Sequence, residues 1–296
     1  MYEPEITVIT TTHNIVEAGK ADDFTLLLNM LNRQTYQYVD HLIMDNASTD
    51  ETTDLLKDYK NSGYIDFFSA PDGSKFEAMN KGLLRAKGKY VSFLSCDDFY
   101  HDIMGLEYVV NFMEENDADF CYFPSYCVQP DGSAFLYNPS PQNVFQVMPF
   151  PRQAAIFKKE TLAKIGNFDS KFKLFADYDL MIKLFLNKFK GVFFEGCIAT
   201  YKMSESSLKY PTQIQAECSH IFHQNYRRLY PLNDNIIDRM VNIAEIPKPL
   251  LDKLATCFPE DERELFYERY EQMYEFRKEN AQAIREQERQ GRQQRG

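Results

Sequence analysis

The chain has 296 residues, 44% of them hydrophobic and 26% charged, a composition that supports a buried core in one large domain or one domain with an appendage. The formal net charge of −11 excludes broad nucleic-acid binding, which needs a positive field to displace counterions. It leaves open a nucleotide in a local pocket, and a divalent cation held between carboxylates and phosphates.

Residues 6–12 (ITVITTT) are short, apolar and β-branched and predict a buried strand. Residues 22–34 follow with an aspartate cap and helical spacing. HLIMD (41–45) predicts a second strand, and residues 50–60, opening on Asp50 and Glu51, a second helix. YIDFFSA (64–70) is a third strand. Residues 75–88 form a helix closed by Gly88, and KYVSFLS (89–95) is a fourth strand. Alternation with short connections predicts an α/β fold on a mainly parallel sheet.

The pattern then changes. After a helix near 104–116, the aromatic runs of 119–137 flank Pro130-Asp131-Gly132 and predict a hairpin. Residues 138–151, with four prolines, form a loop. Residues 158–166 and 176–189 read as helices and 191–203 as a strand. From about 211 the chain is helical, and 260–290 is strongly charged with Phe266, Tyr270, Met273 and Arg277 on one face. The expected division is an α/β domain over 1–210 and a helical C-terminal extension over 211–296.

The six cysteines, Cys96, Cys121, Cys127, Cys197, Cys218 and Cys257, form no CxxC pair, so a zinc ribbon or dithiol redox motif is not expected. They read as buried thiols in a reducing compartment. The start, Met1-Tyr2-Glu3-Pro4-Glu5, resembles no signal peptide, and no stretch has the length of a membrane span, so the cytoplasm is the expected location.

In open α/β sheets, ligands bind beyond the carboxyl ends of the strands. Four segments fall there: Thr11-Thr12-His13-Asn14, Asp45-Asn46, Asp72-Gly73-Ser74-Lys75 and Cys96-Asp97-Asp98. Adjacent carboxylates at Asp97 and Asp98 repel unless cations or hydrogen-bond donors offset them. A divalent cation with a diphosphate meets that need, and so does capping of the following helix. Asp177 and Asp179 fall in the first turn of a helix, where the dipole favours acids, and by themselves need no other account. His220 and His223, spaced i, i+3 near Glu217, lack a wider ligand signature and read as surface or packed side chains.

In order, PEITVITTTHN, HLIMDNASTDET, APDGSKFEAMNKGLLRAKGKYVSFLSCDD, RQAAIFKKETLAKIGNFD and FADYDLMIKL resemble successive blocks of the family 2 inverting glycosyltransferases. The resemblance covers roughly residues 3–205 and is closest to bacterial enzymes that build surface polysaccharides. It implies a GT-A fold in which a nucleotide-binding half meets an acceptor-binding half. It implies that Thr11 and His13 line the nucleobase pocket, that Asp45 hydrogen-bonds the base, and that Asp97 lies at the ribose. Asp98 would hold the metal and diphosphate, and Asp177 would be the catalytic base. The implied cofactor is a divalent cation, Mn2+ or Mg2+. The implied partners are a nucleotide-sugar donor, UDP first, and a glycan or lipid-linked acceptor.

The sequence departs from this family at several positions. Asn46 follows Asp45 where many relatives have a second acid. Gly73 replaces a lysine, for which Lys75 could substitute. Arg152 stands where close relatives have histidine, and TYKMSESS (200–207) lacks the Gly-Gly of close relatives and the metal-binding histidine of some members. An inactive sugar-nucleotide-binding or scaffold protein of the same fold is the alternative these departures fit. A nucleotidyltransferase would need a glycine-rich basic loop after the first strand, which TTTHN is not. The C-terminal helices are expected either to pack their apolar stripe on the first domain or to join a second subunit or a membrane-bound partner. Arg285, Arg289, Arg292 and Arg295 are candidates for contact with anionic lipid headgroups, peripheral at the inner face of the membrane.

Overall fold

The computed structural model describes residues 5–293 apart from 204–209, with side chains to residue 283. TYKMSESS from residue 204 on, and the side chains of the arginine-bearing tail, lie outside the described residues.

The expected alternation is present. It runs β1 (Ile6–Thr12), α1 (Ala21–Asn32), β2 (Val39–Asp45), α2 (Thr52–Asn61), β3 (Asp66–Ser69), α3 (Lys75–Arg85) and β4 (Tyr90–Ser95). Then come β5 (Phe99–Tyr100), α4 (Gly105–Glu115), β6 (Phe120–Tyr122), β7 (Ser125–Val128), β8 (Ala134–Tyr137), β9 (Ala155–Lys158), α5 (Lys159–Lys164), α6 (Ala176–Leu186), β10 (Gly191–Phe193) and β11 (Ala199–Lys202).

Seven strands form one sheet in the order β10-β6-β9-β4-β1-β2-β3. It is parallel except for β9, which runs antiparallel to β4 and β6. Ile6, Thr7, Val8, Ile9 and Thr10 of β1 are all fully buried, as expected of a parallel strand covered on both faces. Helix α3 lies close to it because of Gly82, where a Cβ would come within 2.8 Å of Ile9 Cγ2. Gly88 has a role other than closing that helix, which ends at Arg85. It brings the chain against β1, where its N–H donates to Thr7 Oγ1 at 2.9 Å and a Cβ would meet Thr7 N at 2.6 Å.

A smaller sheet has the order β5-β11-β7-β8. The turn at Pro130–Gly132 joins β7 to β8 as expected, but β6 leaves the hairpin for the large sheet, pairing Phe120 with Phe157 of β9. The single strand expected over 191–203 is likewise two strands, one in each sheet.

The chain divides into two compact units. The first comprises residues 1–139, 150–180 and 189–209 and holds all eleven strands. The second is built from 140–149, 181–188 and the chain from 210 onward, and carries α7 (Pro211–Tyr226), α8 (Asp234–Ile243), α9 (Lys248–Ala255) and α10 (Arg263–Gln293). Within the second unit the ring of Phe145 meets Tyr226, Phe258 and Phe266 edge-on at 6.1, 6.0 and 6.2 Å. Gln146 Nε2 donates to the carbonyls of Ala244 and Tyr270. Phe266 and Tyr270 are therefore buried by packing inside their own unit, which includes residues 140–149 from the range expected for the first domain. No described helix is long and apolar enough to cross a membrane.

Candidate active site

The carboxyl ends of β1, β2 and β4 meet at one edge of the large sheet, since Thr12 pairs with Asp45 and Thr11 with Ser95. Two residues just past strand ends, Asn14 and Ala47, have left-handed backbone, with φ of 46° and 45°. For Ala47, which lacks a side-chain amide to compensate, this conformation is strained, and such strain concentrates at functional turns.

Asp45 closes β2 with its carboxylate pointing inward and 1% exposed. Oδ1 accepts from Thr12 Oγ1 at 3.0 Å and Ser48 Oγ at 2.5 Å; Oδ2 accepts from Ser48 N at 3.0 Å and Ser69 Oγ at 2.6 Å. Four hydrogen-bond donors reach its two oxygens, so it ties three strand ends together. The next residue, Asn46, is half-buried. Its side-chain oxygen takes the N–H of Asp72 at 2.6 Å, and its carbonyl accepts from His13 Nδ1 at 2.8 Å. Thr11 is half-buried beside it and His13 is exposed.

The third segment is organised around helix α3. Ser74 caps it by accepting from Glu77 N, and Glu77 Oε2 takes Gly73 N at 2.9 Å. Lys75 is exposed, with its ammonium 4.8 Å from the Phe76 ring centroid. Lys173 Nζ reaches Gly73 O at 3.1 Å, a second cation at this loop.

Asp97 and Asp98 diverge. Asp98 is fully buried. Its Oδ2 accepts from Ser95 N at 2.7 Å and Gln153 Nε2 at 2.9 Å, and its Oδ1 from Lys202 N at 3.1 Å. Burial, reinforced by neighbouring Asp97, pushes its carboxyl above the usual range. Asp97 keeps some exposure and pairs with Lys20 Nζ at 2.6 Å. Partial burial opposes the charge on Lys20, but the hydrogen bond and field of Asp97 prevail and raise its pKa.

A divalent cation in a phosphate site commonly takes one or two carboxylates plus phosphate oxygens. Both oxygens of Asp98 face internal N–H groups, whereas Asp97 keeps some exposure. Asp97 fits as the single carboxylate. Among the described residues no group of three or more His, Cys, Asp and Glu is placed to hold a metal ion, and the pair His220 and His223 is no exception.

Asp177 is the second residue of α6 and is 7% exposed. Its Oδ1 takes the N–H of Tyr178 at 3.1 Å, and its Oδ2 lies 3.3 Å from Arg152 Nη1. Arg152 Nη2 donates to Ser95 Oγ at 2.9 Å. One guanidinium thus joins the β4 strand end to Asp177. Sequence reasoning missed Lys20 and Ser95 as parts of this edge, and noted Arg152 only as a departure.

A mainly parallel sheet with carboxylates at its strand ends, a small second sheet and an acid at a following helix start have the organisation of the GT-A fold. Residues 7–175 match Glycosyl transferase family 2, and the chain belongs to that family. The match stops two residues before Asp177. An uncharacterized glycosyltransferase of Rickettsia prowazekii is 27% identical over 198 residues, 62% of this chain and 60% of that protein. The chain therefore spans about 60% of the length of that relative. A PGL/p-HBAD biosynthesis glycosyltransferase of Mycobacterium bovis is 27% identical over 193 residues, covering 63% of this chain and 72% of that one. Among solved structures, S. aureus TarS 1–349 in complex with UDP-GlcNAc superposes with a TM-score of 0.64 at 17% identity, over 97% of this chain and 92% of that one. The mannosyltransferase PcManGT from Pyrobaculum calidifontis, in complex with GDP-Man and Mn2+, gives 0.58 at 17% identity, over 87% and 74%. These likenesses establish the fold.

Proposed function

We propose that the chain is an inverting glycosyltransferase that moves a sugar from a nucleoside-diphosphate donor, UDP favoured, to a hydroxyl of a glycan or lipid-linked acceptor. The observation that carries this reading is the short path from Ser95 at the end of β4, through Arg152, to Asp177. It sets a candidate base beside the strand end that would carry the diphosphate. UDP is favoured because TarS, in complex with UDP-GlcNAc, matches this chain over more of its length than the GDP-Man complex does.

In this reading the base lies near Thr11, His13 and Asn46, and Asp45 acts by fixing that strand end instead of touching the base. Asp97 lies at the ribose and diphosphate, with Lys75 and Lys173 as cations at the neighbouring loop. Asp177 accepts the proton of the acceptor hydroxyl. The hydroxyl oxygen attacks the anomeric carbon opposite the diphosphate, which leaves with the bonding pair, so configuration inverts. A general base of this kind contributes about 10²–10⁴-fold in rate. A divalent cation beside Asp97, when bound, would supply positive charge next to the departing diphosphate.

The test is release of nucleoside diphosphate from a panel of sugar nucleotides, with Mn2+ or Mg2+ present and a glycan or lipid-linked acceptor supplied. Thermal stabilisation identifies the donor, by about 2.7 kcal/mol at a hundredfold excess over Kd. A donor that binds and is never turned over with any acceptor would instead support the inactive, sugar-nucleotide-binding alternative.

A further inference from the structure

Arg152 has more donor capacity than its surroundings use. Its side chain is 7% exposed. It makes one bond to Ser95 Oγ and one 3.3 Å contact with Asp177, while its buried Nε finds no hydrogen-bond partner among the described residues. A guanidinium offers five N–H groups in a rigid fork, and a buried one is normally well satisfied. The contact with Asp177 is also single and long, where a guanidinium and a carboxylate commonly meet through two short parallel bonds.

The pairing conflicts with the chemistry proposed for Asp177. While the pair is closed, the guanidinium covers Oδ2, and Oδ1 already accepts from Tyr178 N, so neither oxygen faces an acceptor hydroxyl unobstructed. The pair must open for the base to act. The same guanidinium already touches Ser95, two residues before Asp97, at the strand end proposed to carry the diphosphate. Phosphate oxygens match the fork as well as a carboxylate does and carry more charge.

We infer that Arg152 is a latch between the two halves of the site. Without a donor substrate it holds Asp177; with the donor bound it turns to the diphosphate and releases Asp177 to the acceptor hydroxyl. The base is then available only when a sugar nucleotide is in place. In the reaction the acceptor O–H bond breaks and its proton goes to Asp177. The oxygen bonds to the anomeric carbon, and the carbon–phosphate-oxygen bond breaks with its electrons passing to the diphosphate that Arg152 faces. This inference rests on the proposed function.

The experiment is calorimetric titration of UDP and UMP into the parent, Asp177→Asn, Arg152→Gln and the double variant. Competition for the guanidinium predicts that Asp177→Asn tightens UDP by at least about fivefold, the lower end of ordinary coupling between two sites. UMP, which lacks the β-phosphate, should be unaffected. In the Arg152→Gln background, Asp177→Asn should leave UDP affinity unchanged. Arg152→Lys replaces Arg152→Gln if the latter does not fold, and should weaken the coupling by losing the fork. Equal UDP affinity in parent and Asp177→Asn overturns the latch, and so does a tightening that persists without Arg152. If the folded parent binds none of UDP, GDP and dTDP, the proposed function fails and the latch fails with it, an outcome visible in the parent alone.

Discussion

The ammonium of Lys20 lies 2.6 Å from Oδ2 of Asp97. Lys20 directly precedes α1, so the pair ties the β1–α1 connection to the end of β4. It also places a protein cation on the more exposed of the two adjacent carboxylates, the one proposed to lie beside a metal. Lysine and metal then compete for Asp97. Lys20→Met should tighten Mn2+ binding in the presence of UDP, and Asp97→Asn should abolish it, both read by the loss of free Mn2+ signal in electron paramagnetic resonance. Unchanged Mn2+ affinity in Lys20→Met would show that Asp97 does not bind the ion.

Asp98 is expected to behave as a structural acid. Its carboxylate receives two backbone N–H groups and the Gln153 amide. Asparagine has the same shape but turns an NH2 group toward one of those donors. Leaving such a buried group unsatisfied costs about 1–3 kcal/mol. Asp98→Asn should lower the denaturation midpoint by that amount while the folded protein keeps its Mn2+ affinity. The opposite result, normal stability with Mn2+ binding lost, would return the metal to Asp98.

This division between Asp97 and Asp98 explains how far the site could be read from sequence. The strand ends were legible because apolar, β-branched runs such as ITVITTT stop abruptly at polar residues. Which of two adjacent side chains points inward was not, since Cys96 and Asp97 form a turn closed by Asp98 N–H to Ser95 O at 3.1 Å, where the alternation of the strand no longer applies. The groups that fix the answer come from far along the chain: Ser69 for Asp45, and Gln153 and Lys202 for Asp98. Strand β9 was missed because its four residues run directly into α5. Arg152 carried one signal, its replacement of a histidine, but nothing in the sequence paired it with Asp177.

His41 gives a pH dependence that does not involve the site's chemistry. It is buried in β2 with Nε2 3.0 Å from Thr10 Oγ1, and burial pushes its imidazole down to about 3. In the unfolded chain a histidine titrates near 6.5. The native state therefore holds His41 neutral, while the unfolded state takes up a proton below about pH 6.5. Its contribution to stability is intact above that pH and is lost as pH falls toward about 3. Between pH 6.5 and 5 the loss is about 1.7 kcal/mol, the slope rising from half of its limit of about 1.36 kcal/mol per unit at pH 6.5. Urea melts at the two pH values should show that His41→Gln lacks this part of the acid sensitivity. A variant as acid-sensitive as the parent would show that His41 does not carry it.

Asp177 separates an enzyme from a binding protein. Asparagine keeps its size, and its one amide oxygen can accept from either Arg152 or Tyr178 N, so Asp177→Asn should stay folded at the assay temperature. It cannot take a proton, so turnover should fall by about 10²–10⁴-fold. UDP binding should survive, since the base acts on the acceptor and the loss appears in kcat. Asp179, two residues on, is fully buried where Asp177 is 7% exposed at the site. Asp179→Asn should therefore reveal itself first in the melting temperature, with residual turnover tracking the folded fraction. Measuring melting, UDP affinity and diphosphate release on both variants distinguishes the two roles. If Asp177→Asn turns over at the parental rate, or if Asp179→Asn is the variant that stays folded and loses turnover, Asp177 is not the base and the proposed mechanism fails at its central residue.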